Sequence, residues 1–449
     1  MNAQKQKRKR GIILTSQGFK KLQVAKSEAE SCENAGKSYT LDSLSDRTGL
    51  NPDTLIKVFA CEVGVDKRTL NRCFKAFNLK LESNDYQQPI PDFNQPENWG
   101  KAQNYLSQIP NQLDWGDAPE SGVFYGRTEE LATLKHWFLN DRCRVVALLG
   151  MGGIGKTCLS VQLTLHIQNK FELVIWRSLR HAPPLTDLLA ELCQFILKEQ
   201  EINLPATVAG RIALLISYLR SHRCLLILDD METIFHCCDP RNSSCNYLAG
   251  HYREGYENYG EFLRQVGETS HQSCLLLTSR EKPKEIGRLE GETLPVRSLQ
   301  VKGLPTAEGQ KILTAHGCFW ESLIECSRLV EFYAGNPLAL KLVSTTIQKL
   351  FAGSISEFLK HQIAVFGEIR NLLGQQFERL SDAEKYIVKW LSINGKPASF
   401  SELREQILPT VSPPKLLEAI ESLLERSLIE KSAILFSLQP MVMEYAKSN

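Results

Sequence analysis

The chain has 449 residues, 43% of them hydrophobic and 23% charged, and a net charge of only +2. Such a composition excludes a disordered or fibrous chain, and the near-neutral balance excludes a polyanion binder over its whole surface. No apolar stretch of ~18 residues without charge occurs, and no long apolar run follows the basic start, so neither a membrane span nor a signal peptide is expected.

The thirteen cysteines are scattered, several inside apolar runs such as those around Cys224 and Cys274. Reduced, buried thiols in a cytoplasmic protein fit this pattern better than a disulfide framework.

Residues 1–10 carry Lys5, Lys7, Arg8, Lys9 and Arg10 without an acid and read as a solvated basic tail. Over 11–83, Leu41, Leu44, Leu50, Leu55, Val58 and Phe59 recur at helical spacing, Gly49 breaks the pattern, and Asn51 and Pro52 are placed to start a new helix. A further helix is expected after Asp66, through Leu70, Phe74 and Phe77. Helix, glycine turn and helix is the outline of a small all-α helix-turn-helix domain. Residues 84–122, with Pro89, Pro91, Pro96, Pro110 and Pro119 among Asn and Gln, read as a linker that docks through Trp99 and Trp115.

From 123 to 303, apolar runs at 144–150, 173–178, 224–229, 274–279 and 294–301 alternate with helical patterns. Buried parallel strands with helical crossovers look like this, so an α/β domain with a doubly wound parallel sheet is expected. Residues 304–375 read as helical. Residues 376–449 read as three helices followed by short strands near 428–430 and 434–438, the outline of a winged helix.

The chemistry is concentrated in the α/β region. Gly150-Met151-Gly152-Gly153-Ile154-Gly155-Lys156-Thr157-Cys158 contains the Walker A spacing G-x-x-x-x-G-K-[ST], between an apolar strand and a helical pattern. Glycines there let backbone N–H groups surround a phosphate, and the helix N-terminus adds favourable partial charge. Lys156 is expected to bridge β- and γ-phosphates, and Thr157 to ligate Mg²⁺. The run Leu225-Leu226-Ile227-Leu228-Asp229-Asp230 reads as Walker B. Asp229 is assigned to Mg²⁺ and Asp230, or else Glu232, to the attacking water. Arg280, after Leu277-Thr278-Ser279, ends the next strand and can reach the γ-phosphate. An ATP/ADP site with Mg²⁺ follows, with slow hydrolysis as the expected activity.

Together these motifs resemble the NB-ARC module of STAND ATPases over residues 114–449. By that resemblance Val123, Phe124, Tyr125, Gly126 and Arg127 match the adenine-contacting segment, and Trp176-Arg177-Ser178 the second-strand motif. Thr278-Ser279-Arg280 matches the sensor-arginine motif, and Gly335-Asn336-Pro337-Leu338 the segment whose proline, here Pro337, packs on the base. Where the family has a histidine against the β-phosphate, this chain has Gln439, which is expected to hold ADP by a hydrogen bond but does not titrate. Residues 11–83 also resemble the N-terminal helix-turn-helix domain of bacterial vWA–MoxR-associated proteins.

The resemblance implies an ADP/ATP switch controlling an open or closed state, with self-association in the ATP state and an unidentified sensor or effector protein as partner. Family members usually carry repeats after the winged helix, whereas this sequence stops at Asn449, so either the member is short or its sensor lies elsewhere.

Two other readings stay open: a DNA-binding regulator whose ATPase sets its oligomeric state, and a non-hydrolysing ADP scaffold. For the N-terminal domain, docking or autoinhibition ranks ahead of DNA binding, because the helix after Gly49 carries only Lys57 against Asp53. A basic face built from Lys67, Arg68, Arg72, Lys75 and Lys80 would favour DNA. His236, Cys237, Cys238, Cys245 and His251 lack good metal spacing and read as loop residues with free thiols.

Overall fold

The structure, a computed structural model, describes residues 11–34, 38–60, 64–87, 112–120, 122–197, 204–236, 248–361, 365–407 and 411–448. The basic tail, Trp99, Cys237, Cys238 and Cys245 lie outside the described residues. The chain divides into two compact units, the first built mainly from residues 1–101.

Among the described residues, the first unit has four α-helices and a small ribbon. Helix Ser16–Glu33, which the pattern of leucines does not reveal, is capped by Thr15, whose side chain accepts from the Gly18 N–H. Thr40 caps helix Leu41–Thr48, which ends at Gly49 in the left-handed region (φ 65°). Asn51 Oδ1 accepts from the Asp53 N–H at 2.9 Å at the start of helix Pro52–Ala60. Helix Lys67–Ala76 buries Leu70, Cys73 and Phe74. Strands β1 (Ile13–Leu14) and β2 (Tyr86–Gln87) pair antiparallel. Leu14, Leu22, Leu44, Leu55, Leu70 and Phe74 share one apolar core.

The second unit is built on a six-stranded sheet of β3 (Gln112–Asp114), β4 (Val145–Leu149), β5 (Leu173–Ser178), β6 (Cys224–Asp229), β7 (Cys274–Ser279) and β8 (Val296–Gln300). Their order is β3-β5-β6-β7-β4-β8 and every pairing is parallel. Every residue of β4, β6 and β7 is buried, as the apolar runs require. Strand β3 falls inside the segment read as linker. It is an edge strand of three residues with Leu113 exposed, so it leaves no apolar signature. Trp115, just after it, stacks on Trp176 at 6.3 Å.

Beyond the sheet come helices Thr306–Ala315, Leu323–Phe332, Pro337–Leu350, Ile355–Lys360 and Gly367–Phe377. Next follow helix Asp382–Asn394, strand β9 (Ala398–Ser399), helices Phe400–Ile407 and Pro413–Glu425, strands β10 (Ile429–Ser432) and β11 (Leu435–Leu438), and helix Pro440–Ser448. The three strands form an antiparallel sheet of order β10-β11-β9. Strand β9, two residues long, is too short to read from sequence. One apolar cluster runs through these helices and takes in Met151 from the glycine-rich loop. Among the described residues, no helix is long and apolar enough to cross a membrane.

Candidate functional site

The order of strands reverses at β4: the chain leaves it for β5, which lies beyond β7 and β6. The crevice outside the strands' carboxyl ends at such a point is where ligands bind in open α/β sheets. The loop 150–155 crosses that crevice and enters helix Lys156–Ile167 with Gly155 as N-cap at φ 100°, a conformation that favours glycine. A Cβ on Gly150 would meet the Val301 carbonyl at 2.8 Å.

Lys156 is buried, and its Nζ donates to the carbonyls of Gly150 (2.8 Å) and Met151 (3.2 Å). Burial lowers its pKa, and the Glu232 carboxylate opposes that shift. Thr157 Oγ1 donates to Asp229 Oδ1 at 3.0 Å, and Thr278 Oγ1 donates to the same oxygen. Burial, reinforced by the neighbouring Asp230 charge, pushes the Asp229 carboxyl up to about 6. A hydroxyl and a carboxylate side by side are the hard oxygen ligands that Mg²⁺ takes together with substrate phosphates. With the glycine cradle and the buried lysine, Lys156, Thr157 and Asp229 therefore fit a Mg²⁺–nucleotide.

The two acids after Asp229 part company. Asp230 adopts the left-handed region (φ 61°) and its carboxylate meets Arg180 Nε at 3.3 Å on the exposed side. Glu232 is buried and accepts from the Arg280 backbone N–H at 3.1 Å and Nε at 2.8 Å. Of the two candidates for the attacking water, Glu232 is the one tied to Arg280.

The segment ahead of the loop is anchored to it. Gly126 and Arg127 both have positive φ (62° and 67°). Buried Arg127 donates from Nη2 to the Ile154 carbonyl (3.0 Å) and pairs with Glu130 (2.8 Å). Tyr125 packs at the margin of the helical cluster, and Val123 is 80% exposed. Cys158 is a free, exposed thiol in the first helical turn.

Pro337 begins its helix with Cγ 3.9 Å from the point a Cβ on Gly155 would occupy. Its neighbour Asn336, which carries no role in the sequence reading, caps that helix and donates from Nδ2 to the Gly152 carbonyl at 3.0 Å. The Leu338 N–H donates to the Gly153 carbonyl at 3.3 Å.

Gln439 does not stand alone at a strand end: its Nε2 donates to Glu430 Oε1 at 2.9 Å across the β10–β11 hairpin. The C-terminal amide against the loop is Gln376, whose Nε2 lies 3.2 Å from a Cβ built on Gly152.

A buried ion cluster adjoins the site. Glu281 pairs with Arg379 and, at 2.7 Å, with Arg426, which also meets Glu384 at 2.9 Å. Arg379 Nη2 donates to the Glu232 carbonyl at 2.9 Å. No local motif marks these residues. Their partners come from distant elements, and only the fold brings them together. Among the described residues, no group of His, Cys, Asp and Glu stands ready to bind a metal ion as a cluster.

The NB-ARC family model matches residues 127–237, from Arg127 through the loop and both acids. The chain carries an NB-ARC domain. An NB-ARC domain is a nucleotide-binding P-loop module, and the matched residues hold β4, β5 and β6 of the sheet above. Among curated proteins, an uncharacterized WD repeat-containing protein of Nostoc sp. is 47% identical over 360 residues, 78% of this chain and 28% of that protein. A disease resistance protein of Arabidopsis thaliana is 30% identical over 153 residues, 29% of this chain and 16% of its own length. The chain thus spans less than a third of either relative. Among solved structures, a Walker-type ATPase of Pyrococcus abyssi covers 74% of this chain and 99% of its own, with 14% identity and a TM-score of 0.49. A STAND protein with a tetratricopeptide repeat sensor from Pyrococcus horikoshii covers 74% of this chain and 44% of its own, with 18% identity and a TM-score of 0.38.

Proposed function

We propose that this NB-ARC chain is an ADP/ATP-dependent signalling switch with slow, Mg²⁺-dependent hydrolysis. One observation carries the reading. Thr157 and Asp229, from a helix and a separate strand, meet at 3.0 Å beside buried Lys156, where a magnesium-bound phosphate fits. In this reading Lys156 binds the β- and γ-phosphates, Thr157 and Asp229 hold Mg²⁺, and Pro337 with Tyr125 flanks the base. Arg280 reaches the γ-phosphate by leaving Glu232, which then orients water, a role that Asp230 paired to Arg180 is less well placed to fill.

The segment 376–449 acts as a winged helix that holds the closed state, and ATP favours an open, self-associating one. A single phosphate drives this change only if it binds the open state better than the closed one. A sensor or effector protein is the expected partner.

The test is to purify the chain, release its nucleotide with acid and identify it by chromatography. ADP is expected. No co-purified nucleotide, together with no binding of ADP or ATP at millimolar concentration, would overturn the reading. Mg²⁺-ATP turnover then separates a switch that hydrolyses from an ADP scaffold.

A second reading, nucleic-acid binding by the N-terminal unit, is favoured by one feature. Lys67, Arg68, Arg72 and Lys75 form the exposed face of helix Lys67–Ala76. Phosphate contacts by these four cations predict affinity that falls steeply with salt. Binding to duplex DNA that is sequence-selective and salt-sensitive would promote the regulator hypothesis. Absence of binding at low salt leaves the face as a protein-docking surface.

A further inference from the structure

Gln376 lies in the last turn of helix Gly367–Phe377 and is only 5% exposed. Neither its Nε2 nor its Oε1 has a hydrogen-bond partner. Leaving an amide buried and unpaired forfeits its hydration with nothing in return, so such groups are rare and point to a missing partner.

The direction of the side chain says where that partner belongs. Its Nε2 is 3.2 Å from the point a Cβ on Gly152 would occupy, and the Arg280 guanidinium carbon is 3.1 Å from the same point. A cationic donor and a neutral one therefore converge on the phosphate-binding loop. The Gly152 carbonyl is already taken by Asn336. Gln376 is held in place by its surroundings: Arg379, three positions on, bonds the Glu232 carbonyl, and Leu373 shares an apolar cluster with Met151 of the loop. A phosphate oxygen only accepts, and an amide nitrogen carries two N–H donors.

We propose that Gln376 donates through Nε2 to the terminal phosphate of a bound nucleoside diphosphate, beside Arg280. Through this residue, and not through Gln439, the C-terminal segment recognises the nucleotide. The inference rests on the nucleotide-switch reading, and the experiment separates the two.

Release of a fluorescent ADP analogue is followed by stopped flow in the 449-residue chain, and melting temperature is measured with and without ADP. Gln376→Leu is expected to release the analogue about tenfold faster, as loss of a bond to a charged group implies. Its nucleotide-free melting temperature should stay level or rise, because an apolar side chain replaces an unpaired amide. The rise in melting temperature on adding ADP should shrink. Gln439→Ala should release at the wild-type rate. Gln376→Glu, which keeps the size but turns a carboxylate to the phosphate, should release faster still, and this variant decides the matter if the leucine variant does not fold.

Wild-type release from Gln376→Leu or Gln376→Glu, while Lys156→Ala fails to bind, would overturn the role of Gln376 alone. So would a lower nucleotide-free melting temperature with an unchanged ADP increment, since that marks a purely structural amide. Normal ADP binding by Lys156→Ala would overturn the nucleotide reading itself.

Discussion

The glycine-rich loop and the ion cluster around Glu281 hold neighbouring parts of one site by opposite means. The loop is a contiguous run from Gly150 to Thr157, shaped by one strand and one helix, and works largely through its own backbone. The cluster joins Glu281, after β7, to Arg379, Glu384 and Arg426, which follow or belong to three separate helices. The loop takes its turn from local chain geometry, with Arg127, Asn336 and Leu338 bonding its carbonyls, whereas the cluster forms only between the C-terminal segment and the sheet. Buried charges cost desolvation that only good pairing offsets, so a cluster of this kind stabilises the docked form little beyond break-even and fails sharply when one member is lost. In the proposed switch, a contact that is all or nothing would suit the part that opens, and a contiguous loop the part that keeps the nucleotide.

The sharpest way to separate the two is Arg426→Leu. It leaves Glu281 and Glu384 short of a buried cation, and about 3–5 kcal/mol of stability should be lost, as for other broken buried pairs. Denaturant unfolding followed by near-UV signal measures it. A loss below about 1 kcal/mol would mean that the cluster does not hold the docked form.

Glu425, on helix Pro413–Glu425, gives a smaller effect with a defined pH sign. Burial pushes its carboxyl up to about 7, with Glu421 and Glu290 adding to the rise and Lys282 opposing it. The folded form therefore binds a proton more tightly than the unfolded chain. Its favourable contribution is full below pH 4.5 and is lost as pH rises through about 7. Glu425→Gln should stabilise the protein at pH 8 by about 1–2 kcal/mol, allowing for solvent screening, and should have little effect at pH 4.5. Melting curves at the two pH values test this; equal effects at both would contradict it.

The smallest effect expected is that of Arg180→Ala. This exposed partner of Asp230 should contribute less than about 1 kcal/mol. ADP affinity should not change, whereas Arg280→Ala should weaken ATP more than ADP in the same titration. If Arg180→Ala alone discriminated between the nucleotides, Asp230 and Arg180 would take over the role given to Glu232 and Arg280.

The same contrast explains what could be read from the sequence. Strands β4 to β7 are mainly apolar runs, and Gly150 to Thr157 form one contiguous motif, so both are legible in the sequence. Strand β3 is not, because an edge strand of three residues with Leu113 facing outward carries no alternation. Gln376 and Arg379 carry no motif either. Their meaning comes from the Gly152 and Glu281 side of the site, which tertiary packing brings to them. Gln439 precedes Pro440 after a strand, which in sequence makes it the candidate amide for the phosphate. In the structure that amide donates to Glu430, and Gln376 lies against Gly152.

Calorimetric titration of ADP with Mg²⁺ into the nucleotide-stripped wild-type chain and Lys156→Ala decides whether a nucleotide's phosphates bind through the loop that carries Lys156. Saturable 1:1 binding is expected of the wild type and an affinity at least about a hundredfold lower of the variant, with the phosphates' main cationic partner gone, and little change in nucleotide-free melting temperature. Equal affinities in the two proteins would overturn binding through this loop.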